Sequence, residues 1–397
     1  MRQSERPRVL VAGGGIGGLA TAVALRHAGI AATVLERAPR LAAVGAGIQI
    51  APNAVKALRH VDLAEPILAH GTASETFQFR SWTGRVLTHA DVGELARRHG
   101  APAVFLSRAD LLRTLYEALE DGTVRFGADV VGVDQDARSV TVTLADGSEE
   151  RADLLVGADG VGSRLRERLF GTGKPVYAGY QDWRAIVDHV PADFPPATWW
   201  MAWGRGGRFG LGHAGPGRLF WFALLNTPEG STEAAVGGKE GVLDRFAGWT
   251  RPIEEVIAAT PESAINWADI RDMRPLKRWS DGRVTLLGDA AHATTPNLGR
   301  GAGEAIEDAV VLASRLACVG DFSDRAAVIE ALYGYERARR GPTARVTRRS
   351  RRMGRVGQLE SATGCRVREA VMRLTPDRIA ARALASDFKY EVAPLRA

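Results

Sequence analysis

The most constraining stretch of this chain is a six-residue run near its start, Gly13-Gly14-Gly15-Ile16-Gly17-Gly18. An apolar segment, RVLVA at 8–12, precedes it, and a helix-forming segment, LATAVALRHAG at 19–29, follows it. A second apolar segment, ATVLER at 32–37, completes a strand–helix–strand unit with connections short enough for a parallel pair. Gly13, Gly15 and Gly18 fit the G-x-G-x-x-G spacing in the context that spacing requires. Gly13 permits the tight turn, Gly15 lets a pyrophosphate reach the backbone, and Gly18 lets helix and strand approach. The helix start then offers free N–H groups and partial positive charge to phosphates. Glu36 ends the second strand where a carboxylate accepts from ribose hydroxyls, with Arg37 beside it as a surface charge or a cover over the adenine. The spacing predicts dinucleotide binding and leaves NAD and FAD undistinguished.

At 397 residues the chain exceeds one ordinary core and calls for two or three substructures. Its 45 glycines follow no collagen period, so they mark particular backbone positions. Two cysteines, Cys318 and Cys365, make neither a disulfide framework nor a Cys-rich zinc site. The opening residues lack a long apolar run, and no stretch of about eighteen apolar residues occurs. The expectation is a soluble, cytoplasmic protein, a monomer or homodimer, with no membrane and no nucleic-acid partner. The net charge of +6 is concentrated in Arg337, Arg339, Arg340, Arg345, Arg348, Arg349, Arg351, Arg352 and Arg355. Without interleaved aromatics these predict a solvated helix face, in part salt-bridged, over a nucleic-acid patch.

Further along, PNAVKALRHV at 52–61 starts a helix with Pro52 in its first turn, and 76–90 alternates as strands do. Ser107 caps an amphipathic helix, and Asp146-Gly147 marks a hairpin within a run of strands. Between 175 and 265 the texture changes: Trp183, Trp199, Trp200, Trp203, Phe209, Phe220, Trp221 and Phe222 crowd strand-like runs joined by glycine turns. That reads as an antiparallel sheet. RVTLLGDAAH at 283–292 returns to a buried strand, and the chain from Gly301 onward reads as mostly helical.

Two more motifs bear on the ligand. One is Asp159-Gly160-Val161-Gly162-Ser163-Arg164-Leu165-Arg166. The other is Gly288-Asp289-Ala290-Ala291-His292, followed by Pro296, Gly299 and Gly301. With the glycine turn, and in this order, they resemble the class A FAD-dependent aromatic monooxygenases, in the branch of urate hydroxylase, salicylate hydroxylase and zeaxanthin epoxidase. The resemblance runs from Val9 to about Arg352. It implies an α/β fold: a Rossmann-like FAD-binding domain of the p-hydroxybenzoate hydroxylase type (1–75, 100–174, 266–330), interleaved with an antiparallel-sheet substrate domain (76–99, 175–265), plus a C-terminal helical region (331–397).

The resemblance also implies site roles. Gly13, Gly15, Ile16, Gly17, Gly18, Glu36, Arg37, Arg108, Asp159 and Gly160 bind FAD. So do Asp289, Ala290, Pro296, Gly299, Gly301 and Ala302, while Gly45, Gly47 and Ile48 line the flavin ring. Asp289 takes a ribityl hydroxyl, and the helix from Gly299 points its positive end at the flavin pyrimidine, where negative charge gathers on reduction. Relatives commonly carry Gln where Arg300 stands, so Arg300 and Glu304 alter the charge beside the flavin. Candidate substrate contacts are Trp183, Trp199, Trp203, Arg208, Phe209, Phe220 and Phe222. Phe220 and Phe222 share one strand face, with Trp221 on the other. The aromatics are open to a plain core role, and Arg208 and His213 are expected to face solvent; turned inward, they would favour an anionic or phenolic substrate. The catalytic side chains open to choice are His292, Arg184 and His213, with His292 mainly structural in this family. The implied reaction uses NADH or NADPH and O₂ to hydroxylate a small aromatic substrate through a flavin C4a-hydroperoxide. The alternatives are alkene epoxidation and a non-catalytic FAD-binding role.

Overall fold

A computed structural model describes residues 8–41, 46–171, 174–376, 379 and 385. Gly45 lies outside the described residues. A six-stranded sheet forms the first lobe, in the order Ser280–Asp281, Val284–Leu286, Leu154–Gly157, Arg8–Ala12, Ala31–Glu36, Val124–Phe126. All its pairs are parallel except Ser280–Asp281, which runs antiparallel at one edge. The inner strands are apolar along their length because the sheet is covered, by helices and by the three-stranded antiparallel sheet of Val130–Gln135, Val140–Leu144 and Glu149–Ala152, whose Val133, Val140 and Val142 join the same core.

Register explains why three distant motifs meet. Ala12 pairs with Gly157, and Gly157 pairs with Leu286. The residues just beyond, at Gly13, Asp159 and Gly288, leave three adjacent strands at one level. Ligands of open α/β sheets bind outside these carboxyl ends. Two helices also begin there, Ile16–His27 and Gly301–Leu316, packed side by side. A side chain at Gly17 would press on Leu287 and Ala305, so glycine there lets the two helix starts approach.

The second lobe is a seven-stranded sheet in the order Asn266–Asp272, Val176–Val187, Leu219–Asn226, Gly207–His213, Thr198–Trp203, Thr76–Ser81, Val86–Asp91. It differs from the sequence expectation in three ways. The sheet extends through Asp272, past the boundary expected at 265. Thr198–Trp203 and Thr76–Ser81 pair in parallel, so the sheet is mixed. Three short helices, Glu233–Val236, Gly238–Phe246 and Ile253–Ala259, stand where only strands were expected, and the latter two pack on one face of the sheet. The apolar face of those helices was masked by neighbouring glycine and charged residues.

The helix Arg325–Gly357 spans both lobes and is followed by Ala362–Leu374. Its arginines are not all solvated. Arg339 is fully buried and holds Glu304, Glu307 and Asp308, while Arg351 pairs with Asp272 at 2.7 Å. The burial of Arg339 has a simple cause: the helix lies across acidic groups of the helix Gly301–Leu316, which supply its counter-charges.

Among the described residues no helix is long and apolar enough to cross a membrane.

Candidate active site

A cavity of about 700 Å³ separates the two lobes. One wall is backbone. Gly15, Ile16, Gly17, Gly47, Ile48, Gly160, Pro296, Gly299, Gly301 and Ala302 line it. Gly13 (φ +106°) lies so close to the carbonyl of Ala158, and Gly18 to that of Gly13, that a methyl group fits at neither. Gly15 and Gly160 instead face open space, leaving room for a ligand against bare backbone.

Polar groups stand on this wall or beside its glycine turn. The Glu36 carboxylate accepts from the N–H groups of Gly14 (2.5 Å) and Ala38 (2.8 Å), which pins the second strand to the glycine turn. Each oxygen keeps a lone pair for a ligand hydroxyl. Arg37 is exposed beside it. Ser107 caps the helix Arg108–Glu117 by accepting from Ala109. That cap sets Arg108 on the cavity wall, where burial and then the neighbouring Arg184 lower its pKa while Asp289 opposes them. Asp289 is exposed into the cavity. The protein packed around that cavity pushes its carboxyl up, against the pull of His292, Arg108 and Arg166. Ala290 is buried, and its carbonyl accepts from Arg166 at 3.0 Å.

These residues fit an extended dinucleotide with a flavin. The buried Nε of Arg108 and Oδ1 of Asp159 make no hydrogen bond within the protein. Buried groups of this kind call for a partner. The glycine cradle at Gly15 and Gly160 and two helix N-termini supply the matching shape and donors.

The facing wall is the sheet, and its cavity side reads in rows across the strands. One row is Asp182, Leu224, Arg208, Trp203; the next is Arg184, Phe222, Gly210, Met201, Phe79, Thr88; a third is Ile186, Phe220, Gly212, Trp199, Phe77, Ala90. Gly210 and Gly212 are strand positions rather than turns. A methyl group on either would strike the ring of Phe222 or Trp199. Their bare backbone lets both rings lie down on the sheet and keeps the cavity open.

Trp199, Arg208, Phe220, Phe222 and Arg184 line the cavity. The other sheet candidates do not. Trp183 and Phe209 stand on the opposite face, packed with Trp200, Trp221 and Phe246. Trp203 is on the cavity face but lies behind Arg208, which stacks on its ring at 5.7 Å. His213 sits at a strand end against the Pro195 carbonyl (3.2 Å). His292 is buried away from the cavity, hydrogen-bonded to Asp308 at 2.5 Å and packed on Trp279. Burial works against the charged form of His292, but Asp308 outweighs it and raises its pKa. Period-two alternation fixes which residues share a face; it does not say which face meets the ligand.

Arg208 corrects the expectation of solvent exposure. It is fully buried. Its Nε donates to Gln358 Oε1 (2.8 Å) and its Nη2 to Asn297 Oδ1 (2.6 Å), both neutral amides. Its Nη1 is buried and makes no hydrogen bond. Burial lowers its pKa to about 10, so the guanidinium stays charged at neutral pH. Asp182, which lines the same cavity, gives one oxygen to Arg184 at 2.6 Å and leaves Oδ1 buried without a partner. Sequence reasoning passed over Asp182, Asn297 and Gln358. The signal for Asp182 was present in its two-residue spacing from Arg184; Gln358 carried none.

Beneath the cofactor wall lies a closed ionic cluster. Asp308 accepts from Arg339 (2.6 Å), His292 and the Gly288 N–H (3.1 Å). Glu304 bridges Arg300 and Arg339, each at 2.6 Å. Glu307 binds Arg339 and accepts from Asn53. Burial alone favours protonated Asp308, but His292 and Arg339 bring it down to about 2. Burial takes Glu307 the other way, up to about 7, against the pull of Arg339. The charge of Arg300, at the start of the flavin-side helix, is thus met by Glu304.

Residues 6–203 and 244–350 match the FAD binding domain family. The chain is 40% identical to an aurachin C monooxygenase/isomerase from Stigmatella aurantiaca, over 94% of this chain and 96% of that protein. It is 38% identical to a 3-amino-4-hydroxybenzoate 2-monooxygenase from Streptomyces platensis, over 93% of each. Among solved structures, Klebsiella pneumoniae HpxO complexed with FAD and uric acid superposes with a TM-score of 0.88 at 31% identity, covering 96% of both chains. The glycine cradle, the three strand ends and these matches agree: the chain belongs to the FAD binding domain family and is an FAD-dependent monooxygenase of class A.

Proposed function

We propose that this enzyme uses NADH or NADPH and O₂ to hydroxylate a small aromatic or heteroaromatic molecule that carries an anionic or phenolic oxygen. The balance is one substrate C–H, one O₂, one NAD(P)H and one proton giving one C–OH, one water and NAD(P)⁺. Bound FAD supplies the electron transfer and the activation of oxygen. The residues of the chain bind, orient and exclude water.

The observation that carries this reading is Arg208. A buried cation hydrogen-bonded to two neutral amides and lying over the Tyr180 ring, with one N–H group left over, gains from an anion that arrives to pair with it. Asp182 Oδ1 is the complementary acceptor, suited to an N–H or O–H on the same ring. Trp199, Met201, Phe220 and Phe222 form an apolar floor that holds a flat ring toward the cofactor wall and keeps water from it. Arg108 and Asp289 are assigned to FAD by their place on the backbone wall, and Glu36 and Asp159 by their place beside the glycine turn.

The test is NAD(P)H oxidation by the FAD-loaded enzyme over a panel of phenols, hydroxybenzoates and hydroxylated N-heteroaromatics, each acid beside its neutral amide. The expected result is faster oxidation and a hydroxylated product with acids or phenols. If bound FAD is reduced but every panel member yields only hydrogen peroxide, the reading fails.

A further inference from the structure

The cavity is longer than a single ring needs, and its far arm differs in chemistry from the Arg208 end. Along the second row of the sheet the cavity-facing positions run Phe222, Gly210, Met201, Phe79, Thr88 on five neighbouring strands. Strands lie about 4.8 Å apart, so from the strand of Arg208 to that of Thr88 the floor extends roughly 14 Å. The helix Ala362–Leu374 flanks this end, packed on the strand Val86–Asp91, with its Glu369 paired to Arg85 just before that strand.

Three of the five methionines of the chain, Met201, Met353 and Met372, line this one cavity. Phe79 lies beside them, only half-buried although it belongs to a sheet face. Half-buried aromatic rings interleaved with flexible thioethers make an adaptable apolar surface, the kind that receives chains of varying shape. The arm opens where Val371 and His89 are exposed.

We propose that the substrate is an aromatic oxyanion bearing an aliphatic tail, with the ring held at Arg208 and the tail laid along the Met201–Phe79–Thr88 arm under Met353 and Met372. This rests on the reading of Arg208 given above. The tail contributes affinity by burying apolar surface, and the arm sets chain-length specificity.

The experiment titrates the FAD-loaded enzyme with salicylate and 5-alkylsalicylates of two to eight carbons, following the flavin absorbance. Each methylene is expected to tighten binding about three- to fourfold. Thr88→Trp, which fills the arm, and Met372→Glu, which charges it, are each expected to abolish the dependence on chain length. If the wild-type enzyme binds every chain length equally, or if both variants keep the full slope, the tail proposal is overturned. Failure of the underlying reading looks different: no member of the series binds, or Arg208→Gln binds all of them as tightly as wild type.

Discussion

Neighbouring residues on the strand Leu219–Asn226 live in different worlds. Trp221 is fully buried, its Nε1 donates to Thr260 Oγ1 at 2.9 Å, and it stacks on Phe209 5.5 Å away. Phe222, one position on, is half-buried with its ring over Gly210 in the cavity. The helix face of the sheet is packed aromatic on aromatic and aliphatic, with the Phe246 ring set edge-on against Phe209. The cavity face carries two glycines under aromatic rings, a buried cation hydrogen-bonded to neutral amides, and the half-buried rings of Phe222 and Phe79. The same residue types thus do opposite work. On one face they close a core; on the other they also stack, Trp199 on Phe105 and on Phe220, but over glycines and along the cavity, where a ligand can meet them.

Changes on the two faces are expected to separate stability from recognition. The largest effect is for Trp221→Ala, which empties a closed core and costs about 3–5 kcal/mol of stability, read in a denaturant titration. The affinity of whatever remains folded for an aromatic acid is expected to be unchanged. Comparable stability losses for Trp221→Ala and Phe222→Ala would erase the distinction between the faces.

Arg208→Gln comes next. It removes a charged hydrogen bond to the ligand worth about 1.5–3 kcal/mol, so binding of an aromatic acid weakens by roughly ten- to a hundredfold while the neutral amide is little affected. Because the buried cation makes no salt bridge among the described residues, the variant is expected to be at least as stable as wild type in the absence of ligand. A loss of stability without a change in affinity would make Arg208 part of the core.

Phe222→Ala is a smaller change. It removes one aromatic contact from the cavity floor, and a loss of about 0.5–1.5 kcal/mol in ligand affinity is expected, with a lesser cost in stability than Trp221→Ala. Calorimetric titration and thermal melts on the same preparation read both quantities.

A pH effect under the cofactor wall supplies a baseline outside the sheet. Burial raises Glu307 from 4.5 to about 7. A carboxyl raised on folding adds stability that is complete below pH 4.5 and is lost as pH rises through about 7. Relative to Glu307→Gln, the wild-type enzyme is therefore expected to lose melting temperature between pH 5 and pH 8. A constant difference across that window would remove the shift.

How much of this was legible in the sequence follows the same division. The cofactor wall is made of backbone, and glycines at fixed spacing declare where backbone must be bare. Gly13, Gly15, Gly18, Gly160 and Gly288 could be assigned to turns at strand ends before any coordinates, and the parallel register places those ends at one level. The sheet wall is made of side chains. Alternation separated Phe222 from Trp221 but gave no sign of which would meet the cavity, so Trp183 and Phe209 were placed on the wrong side. Arg208 was hidden for another reason. Its partners Asn297 and Gln358 lie 89 and 150 residues away, and a cation's burial depends on such distant neighbours. The arginine-rich helix hid Arg339 in the same way, because its counter-ions sit on a different helix.

The most direct measurement is turnover of the FAD-loaded enzyme under ¹⁸O₂ with NAD(P)H and an aromatic acid that accelerates NAD(P)H oxidation. The expected result is a product heavier by one ¹⁸O atom, formed one-for-one with NAD(P)H consumed by the wild-type enzyme and strongly reduced with Arg208→Gln. A product that carries no label, or labelled product formed equally well by the Arg208→Gln variant, would contradict the account.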